Sequence, residues 1–187
     1  KSELKIYSEV LYAPGAGGEF FSLLLESHKS DHWTRIPLCC FDWHYYNYNY
    51  FHSDVRTRQI RPIHRISYSR LSPVVFLKAP IDYIIDIRKK KSSRLNHLQD
   101  KQWLEDNTED DIASEDFADV TISHLDPLKN YYKMCDMMEM EPDIEFYSWA
   151  WWNYLGIQHI LLNKEYNYIE KVRNNLKECF GDFNGVS

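Results

Sequence analysis

Residues 10 to 20, VLYAPGAGGEF, restrict the fold more than any other stretch of the sequence. An apolar run with β-branched and aromatic residues ends at Pro14 and a glycine-rich turn, and the helical pattern FFSLLLESH follows directly. This order predicts a strand over about residues 4 to 13, a tight turn, and a helix from about Glu19 to His28. Because such a turn presents backbone N–H groups at the positive end of a helix, it also predicts an anion site.

The same order of strand, short turn and helix returns further along the chain. The run PVVFLKAP, residues 73 to 80, is typical of a buried parallel strand, and IDYIIDIRKKKSSRL after it has an apolar helical stripe. A third strand is expected at residues 119 to 123, followed by a helix that begins at Pro127 with Asp126 as its cap. Two more helices are expected in EPDIEFYSWAWWNYLGIQHILL and EYNYIEKVRNNLKECF.

These alternating units predict one α/β domain over residues 1–187, with a mostly parallel sheet between helices in three layers and a helical C-terminal part at about 126–180. The aromatic stretch FDWHYYNYNYF, residues 41 to 51, fits either a strand or a loop. The chain has 44% hydrophobic residues and no uncharged apolar run of membrane-spanning length. We therefore expect a soluble, cytoplasmic protein.

Charge and cysteine content limit the expected partners. The net charge of −6 argues against a nucleic-acid partner, because nucleic-acid binding needs a basic surface, and no membrane partner is expected. The four cysteines lack CxxC spacing and are expected to be reduced and mostly buried. Asp42, His44 and His52 come nearest to a metal set, but no metal is expected. The acidic stretch at residues 105 to 116 is expected to be a solvated loop.

The glycine turn lacks the residues that ATPases and GTPases need. The pattern GxxxxGK[ST] is absent, so no lysine reaches a γ-phosphate and no hydroxyl binds magnesium. Gly15, Gly17 and Gly18 still allow positive backbone dihedrals, and their missing side chains are expected to let phosphate or sulfate oxygens approach the main chain. A nucleotide kinase is therefore a weak assignment.

The turn resembles the motif that holds the 5′-phosphosulfate group in the sulfotransferase family. Pro14, Gly17 and Phe20 match that motif. Gly15 stands in place of the family's lysine, and residues 18 and 19 replace its two threonines. The resemblance implies that this turn binds the anionic end of a nucleotide.

A second motif of that family, a strand followed by Arg-x-Pro-x-Asp and a serine on the next helix, resembles VVFLKAPIDYIID. Pro80 and Asp82 match, Lys78 replaces the arginine, and Asp86 stands at the serine position. A weaker likeness in VTISHLDPLKNYYKMCDMMEMEPD extends the resemblance over about residues 6 to 145.

The resemblance implies a P-loop fold that binds 3′-phosphoadenosine 5′-phosphosulfate and transfers its sulfuryl group to a small-molecule hydroxyl acceptor. His64 is the positional match for the family's catalytic histidine and would act as the general base. The implied cofactor-binding residues lie in the two motifs and are Pro14, Gly15, Ala16, Gly17, Gly18, Glu19, Phe20, Lys78 and Asp86.

Simpler roles are open for these residues. His64 also fits a surface histidine in a basic loop, and Lys78 fits a salt bridge to Asp82 or Asp86. The arginines between residues 56 and 70 fit a solvated loop or an anion site.

Two carboxylates oppose the implied site. Glu19 at about 6 Å from a bound phosphate would cost about 3 kcal/mol at an effective dielectric of about 20, more than the roughly 0.3–1 kcal/mol that a helix N-terminus contributes. Asp86 would repel a 3′-phosphate in the same way. A second function therefore stays open: a non-catalytic binding or assembly module, a homo-oligomer joined through the aromatic residues at 147 to 154.

Overall fold

The computed structural model describes residues 8–29, 60–64, 72–92, 108–162 and 166–181. The strands are β1 (Ser8–Tyr12), β2 (Ile60–Ile63), β3 (Val74–Lys78) and β4 (Val120–Ser123). The α-helices are α1 (Gly18–Lys29), α2 (Ile81–Ser92), α3 (Tyr131–Met137), α4 (Ile144–Leu162) and α5 (Asn167–Phe180). Residues 108–113 are helical as well, and a 3₁₀ helix spans Ser114–Phe117.

The four described strands form one parallel sheet in the order β2-β1-β3-β4. Val10 lies opposite Pro62 on one side and Val75 on the other. The chain passes from β1 to β2 on one side and then crosses to β3 on the other, so the strand order reverses between β1 and β3. Open α/β sheets bind ligands beyond the carboxyl ends of the strands at such a point. The predicted α/β class and parallel sheet are confirmed for these residues.

The larger core lies on the sheet face that carries α1 and α4. Val10, Val75 and Ile122 of the strands belong to it, together with Phe21 of α1 and Trp151 of α4, and all five are fully buried. Burying an aliphatic or phenyl side chain of this size stabilises the fold by about 1.5–3 kcal/mol. Helix α1 is therefore held firmly against the sheet, which fixes both ends of the turn between β1 and α1.

The aromatic residues of α4 serve mainly as core. Tyr147, Trp151 and Tyr154 are buried, and Trp152 is partly buried. The guanidinium of Arg173 on α5 lies over the Trp152 ring at 4.1 Å from its centroid. Part of the outward side of α4 is therefore covered within the chain.

Helix α3 begins later than the sequence predicts. Residues 127–130 form turns, and Asn130, immediately before α3, has a φ of 67° in the left-handed region. Asp126 Oδ1 accepts a hydrogen bond from the Lys129 N–H at 3.2 Å, so its side chain caps a turn. The predicted helix start at Pro127 is wrong, because a left-handed residue interrupts the helical hydrogen bonding.

Two segments expected to be loops have regular structure where they are described. Strand β2 lies within the arginine-rich stretch 56 to 70, and its Ile60 is buried. Residues 108–117 of the acidic stretch are helical. In that stretch Asp111 pairs with Arg88 of α2, and Glu115 pairs with Lys78 of β3. The solvated-loop interpretation is therefore wrong for these parts, because packing and charge pairing order them.

The described cysteines divide evenly between interior and surface. Cys135 is buried, Cys179 is exposed, and both are free thiols. The expectations for Cys39 and Cys40, and those for residues 41 to 52 with the nominal metal set, fall outside the described residues. None of the described helices is long and apolar enough to cross a membrane.

Candidate functional site

The glycine turn starts as a tight β-turn at the end of β1. The Ala16 N–H donates to the Ala13 carbonyl oxygen at 2.9 Å, with Pro14 and Gly15 between them. Gly15 has a φ of 102°, which a type II turn requires at its third residue, and proline suits the second. The dipeptide Pro-Gly therefore fixes the direction in which the chain leaves the strand.

Side chains of the protein itself pack against the two glycines that follow. Gly17 has a φ of 86°, and a Cβ atom there would lie 2.8 Å from Cζ of Tyr154. A Cβ atom on Gly18 would overlap the Tyr12 ring. The space expected for ligand oxygens at these Cα atoms is thus filled by protein, so a ligand can meet the turn only through its N–H groups.

Arg88 holds the turn from the side of α2. Its Nε donates to the Pro14 carbonyl oxygen at 2.6 Å, and its terminal nitrogens donate to Thr108 at 2.9 Å and to Asp111 at 2.5 Å. A guanidinium is planar and offers its N–H groups in a fixed fork. These three contacts therefore fix Pro14 relative to the helical residues 108–113.

His124 holds the turn from the buried side. Its Nε2–H donates to the Ala16 carbonyl oxygen at 2.7 Å, and its backbone N–H donates to the Lys78 carbonyl oxygen at 2.8 Å. The imidazole is fully buried beside the rings of Tyr83 and Trp151. Burial lowers the pKa of His124 from 6.5 to about 4, although the hydrogen bond to Ala16 acts in the opposite direction. The side chain is therefore neutral at pH 7.

His64 lies at the same edge of the sheet, directly after β2. Its Nδ1–H donates to the Tyr12 carbonyl oxygen at 3.1 Å, and the two ring centroids are 4.4 Å apart. Because a carbonyl only accepts, the neutral ring carries its proton on Nδ1 and has a lone pair on Nε2. The side chain is exposed, so Nε2 can reach a molecule outside the sheet.

Lys78 ends β3 and pairs with the acidic segment. The register of β3 with β1 places Leu77 opposite Tyr12, so the backbone of Lys78 lies beside the start of the glycine turn. Its Nζ lies 2.9 Å from Oε2 of Glu115, and the Thr121 hydroxyl donates to Oε1 of the same carboxylate. The salt-bridge partner is therefore Glu115 rather than the α2 aspartates that the sequence suggests.

Three other residues of the predicted site differ in their surroundings. Asp86 accepts a hydrogen bond from the hydroxyl of Tyr166, so its carboxylate faces the start of α5. Phe20 is buried and stacks on Tyr154 with ring centroids 4.0 Å apart. Glu19 is half-buried in the first turn of α1. Phe20 therefore contributes to the core, and Asp86 to the packing of α5.

His64 bonds to Tyr12, just before the turn at residues 14–20, and the backbone of Lys78 lies beside the start of that turn. The sequence did not indicate the residues that hold the turn from outside, which are Arg88, His124 and Tyr154. His124 could have been found from the sequence, because it directly follows a predicted strand and such residues lie at the ligand edge of a parallel sheet. The other two lie within helices, where no local pattern marks them.

No protein-family model matches the chain, and comparisons with curated proteins and with solved structures found no similar protein. The case for a function therefore rests on the site itself.

Proposed function

We propose that the protein binds a phosphate- or sulfate-bearing nucleotide at the glycine turn and transfers a sulfuryl group to a hydroxyl acceptor, with His64 as general base. The observation that carries this proposal is the hydrogen bond from His64 to the Tyr12 carbonyl, two residues before Pro14. With the proton on Nδ1, the neutral ring carries a lone pair on Nε2 at the same sheet edge as the glycine turn. Transfer to a hydroxyl needs both an anion cradle and a base of this kind.

The N–H groups of Gly17 and Gly18 support binding of an anion. Among the described residues, no backbone carbonyl accepts from either group, and Gly18 is the first residue of α1. Such N–H groups lie at the positive end of the helix dipole, which favours an exposed anion by about 0.3–1 kcal/mol. The Ala16 N–H is already used within the turn, so we assign ligand binding to the glycines after it.

His64 would take the proton of the acceptor hydroxyl while the hydroxyl oxygen attacks the transferring group. The Tyr12 carbonyl holds Nδ1–H in place and stabilises the imidazolium that forms. General base catalysis of this kind contributes about 10²–10⁴-fold to the rate. A nucleotide phosphosulfate at the turn would supply the sulfuryl group: the sulfur–oxygen bond to its 5′-phosphate would break as the bond to the acceptor oxygen forms, and the nucleotide phosphate would leave.

The residues present fit one anionic group of such a nucleotide. The turn offers main-chain donors for a 5′-phosphate or sulfate. At the position implied for the 3′-phosphate, Asp86 is a carboxylate already bonded to Tyr166 and offers no donor. Lys78 would have to exchange Glu115 for the ligand. We therefore limit the proposed contacts to the 5′-phosphosulfate end, where the turn supplies N–H groups and Lys78 joins after leaving Glu115.

Calorimetric titration and thermal-shift measurements with 3′,5′-adenosine bisphosphate and with adenosine 5′-phosphosulfate test the binding. We expect both ligands to bind, because the proposed contacts do not include the 3′-phosphate. Lys78→Met should weaken binding about tenfold through loss of a charge-assisted contact. Lys133→Met, which removes an exposed lysine of α3, is the matched control. The absence of both binding heat and a thermal shift at millimolar ligand would contradict the proposal.

A second candidate function is a non-catalytic binding module on the same fold. The ion pairs of Lys78 with Glu115 and of Arg88 with Asp111 favour it, because the protein's own carboxylates neutralise cations near the turn. A stable oligomer in sedimentation, together with no sulfuryl transfer from a phosphosulfate donor, would favour this function over the first.

A further inference from the structure

His124 is a fully buried histidine that the proposed reaction does not use. Its Nε2–H donates to the Ala16 carbonyl oxygen at 2.7 Å, and its buried Nδ1 has no hydrogen-bond partner among the described residues. The backbone N–H of the same residue donates to the Lys78 carbonyl oxygen. The end of β3 therefore fixes the position from which the imidazole reaches the turn.

The hydrogen bond to Ala16 also determines where the next N–H points. The described peptide bonds are not cis, and in a planar trans peptide the carbonyl oxygen and the following N–H point in opposite directions. The Ala16 oxygen faces the buried imidazole of His124. The Gly17 N–H therefore points away from the interior.

Arg88 acts on an earlier peptide of the turn in the same way. Its Nε holds the Pro14 carbonyl oxygen, which directs the Gly15 N–H away from the guanidinium. The N–H between these two, that of Ala16, is held inside the turn by the Ala13 carbonyl. Contacts from outside the turn therefore set the direction of alternate N–H groups.

The unpaired Nδ1 of His124 is unfavourable for stability. The unpaired Nδ1 has lost its hydrogen bond to water without a replacement among the described residues. The rings of Tyr83, Trp151 and Tyr154 lie around the imidazole, with centroids 5.2 to 5.9 Å away. A phenylalanine would remove the unpaired Nδ1, but it would leave the buried Ala16 carbonyl without this donor. The hydrogen bond to the turn therefore explains the histidine better than packing does.

We propose that His124 is a positioning residue of the anion site, which aims the Gly17 N–H at the bound phosphate or sulfate group by holding the Ala16 carbonyl. This role rests on the proposed function, since it requires an anion at the turn. His124 does not touch the ligand and acts through the main chain alone.

Three variants test this role, with the affinity for adenosine 5′-phosphosulfate and the melting temperature measured on each. His124→Phe should lower the affinity about tenfold or more, while its melting temperature reflects two opposing changes, the loss of the hydrogen bond to Ala16 and the removal of the unpaired Nδ1. His124→Gln keeps an N–H donor and should restore the affinity to within about threefold of wild type. His159→Phe removes another buried, unpaired Nδ1 from α4 and should leave the affinity unchanged.

The possible outcomes separate this role from the proposed function. If wild type and His124→Phe bind equally well, His124 does not position the site, and the proposed function stands. If the Phe and Gln variants lose equal affinity and both melt earlier, the residue is only structural, which also overturns the role. If wild type does not bind, the proposed function fails and the positioning role fails with it.

Discussion

The two strand–turn–helix units at the centre of the sheet share a sequence pattern, but their turns are built differently. Between β1 and α1 the chain uses residues 13 to 17, and both Gly15 and Gly17 have positive φ. Between β3 and α2 it uses only residues 79 and 80. The first turn has room for contacts from other elements, whereas the second leads directly into its helix.

The shorter turn uses its own groups to begin the helix. The Ile84 N–H donates to the Pro80 carbonyl oxygen at 3.1 Å, and the Tyr83 N–H donates to Oδ1 of Asp82 at 2.9 Å. Both helices carry a carboxylate in the first turn, Glu19 in α1 and Asp82 in α2, and that of Asp82 accepts from an N–H group of its own helix. The two helix N-termini at this sheet edge thus differ in their hydrogen bonding: the N–H groups of Gly17 and Gly18 donate to no backbone carbonyl of the described residues, whereas the Tyr83 N–H donates to Asp82.

His124 connects the two turns. Its side chain bonds to Ala16 of the first, and its backbone N–H bonds to Lys78 just before the second. Changes at either turn are therefore expected to reach the other through this residue. The following predictions test whether the two turns differ as described.

The strongest effect is predicted for the base beside the first turn. His64→Asn retains an N–H donor for the Tyr12 carbonyl but removes the Nε2 lone pair. Sulfuryl transfer to small phenols should fall by about 10²–10⁴-fold, while the affinity for adenosine 5′-phosphosulfate stays within about threefold. His159→Asn serves as the control. An unchanged transfer rate would remove His64 from the mechanism.

Gly17 of the first turn should not accept a Cβ atom. Gly17→Ala forces a positive φ on alanine and a collision with Tyr154, which should cost about 2–5 kcal/mol in the free energy of unfolding. Gly181→Ala also forces a positive φ on alanine but meets nothing within 4 Å, and it should cost only about 1–3 kcal/mol. Urea unfolding measures both. Equal losses would show that the contact with Tyr154 is unimportant.

The residue that joins the turns should make stability depend on pH. The pKa of His124 is about 4 in the folded protein and about 6.5 when unfolded, so the unfolded chain takes up a proton first as the pH falls. Stability should therefore decrease between pH 7.5 and pH 5, by about 2 kcal/mol from this group. Neighbouring Tyr83 and Tyr154 stay neutral, because burial raises both pKa values.

Urea unfolding of wild type and His124→Phe at the two pH values measures this contribution as a difference. The variant lacks the titrating group and should show the weaker pH dependence. The same dependence in both proteins would mean that the buried imidazole does not control it.

A smaller effect is predicted at the end of β3. Glu115→Gln frees Lys78 from its ion pair, and the affinity for adenosine 5′-phosphosulfate should rise about two- to fivefold. The gain is limited because the Lys78 side chain is 45% exposed and solvent screens the pair. Asp116→Asn makes the same charge change at the exposed neighbour. An equal gain in both variants would assign the effect to net charge rather than to Lys78.

Local patterns predicted most of the sheet, and failures arose where distant contacts decide the structure. β1, β3 and β4 each have an apolar core bounded by breaking residues, so their approximate positions follow from the sequence. Strand β2 was missed because Arg61 and Pro62 interrupt its pattern. Proline in a sheet is usually confined to an edge, and among the described strands β2 pairs only with β1.

The main chain of the candidate site was predictable from the sequence, but the side chains from other elements that hold it were not. The turn at residues 14–20 is contiguous, so its sequence describes its shape. Arg88 lies 74 residues from the carbonyl it holds, and His124 lies 108 residues from its own. Such contacts depend on strand order, and no spacing along the chain reports them. Lys78 shows the same limit, because its partner Glu115 is 37 residues away.

The fork of Arg88 also joins three parts of the chain that are far apart in sequence. From its place on α2, the guanidinium contacts the Pro14 carbonyl oxygen, Thr108 and Asp111. A lysine at this position could not make the three contacts together, because its ammonium lacks a planar fork of donors.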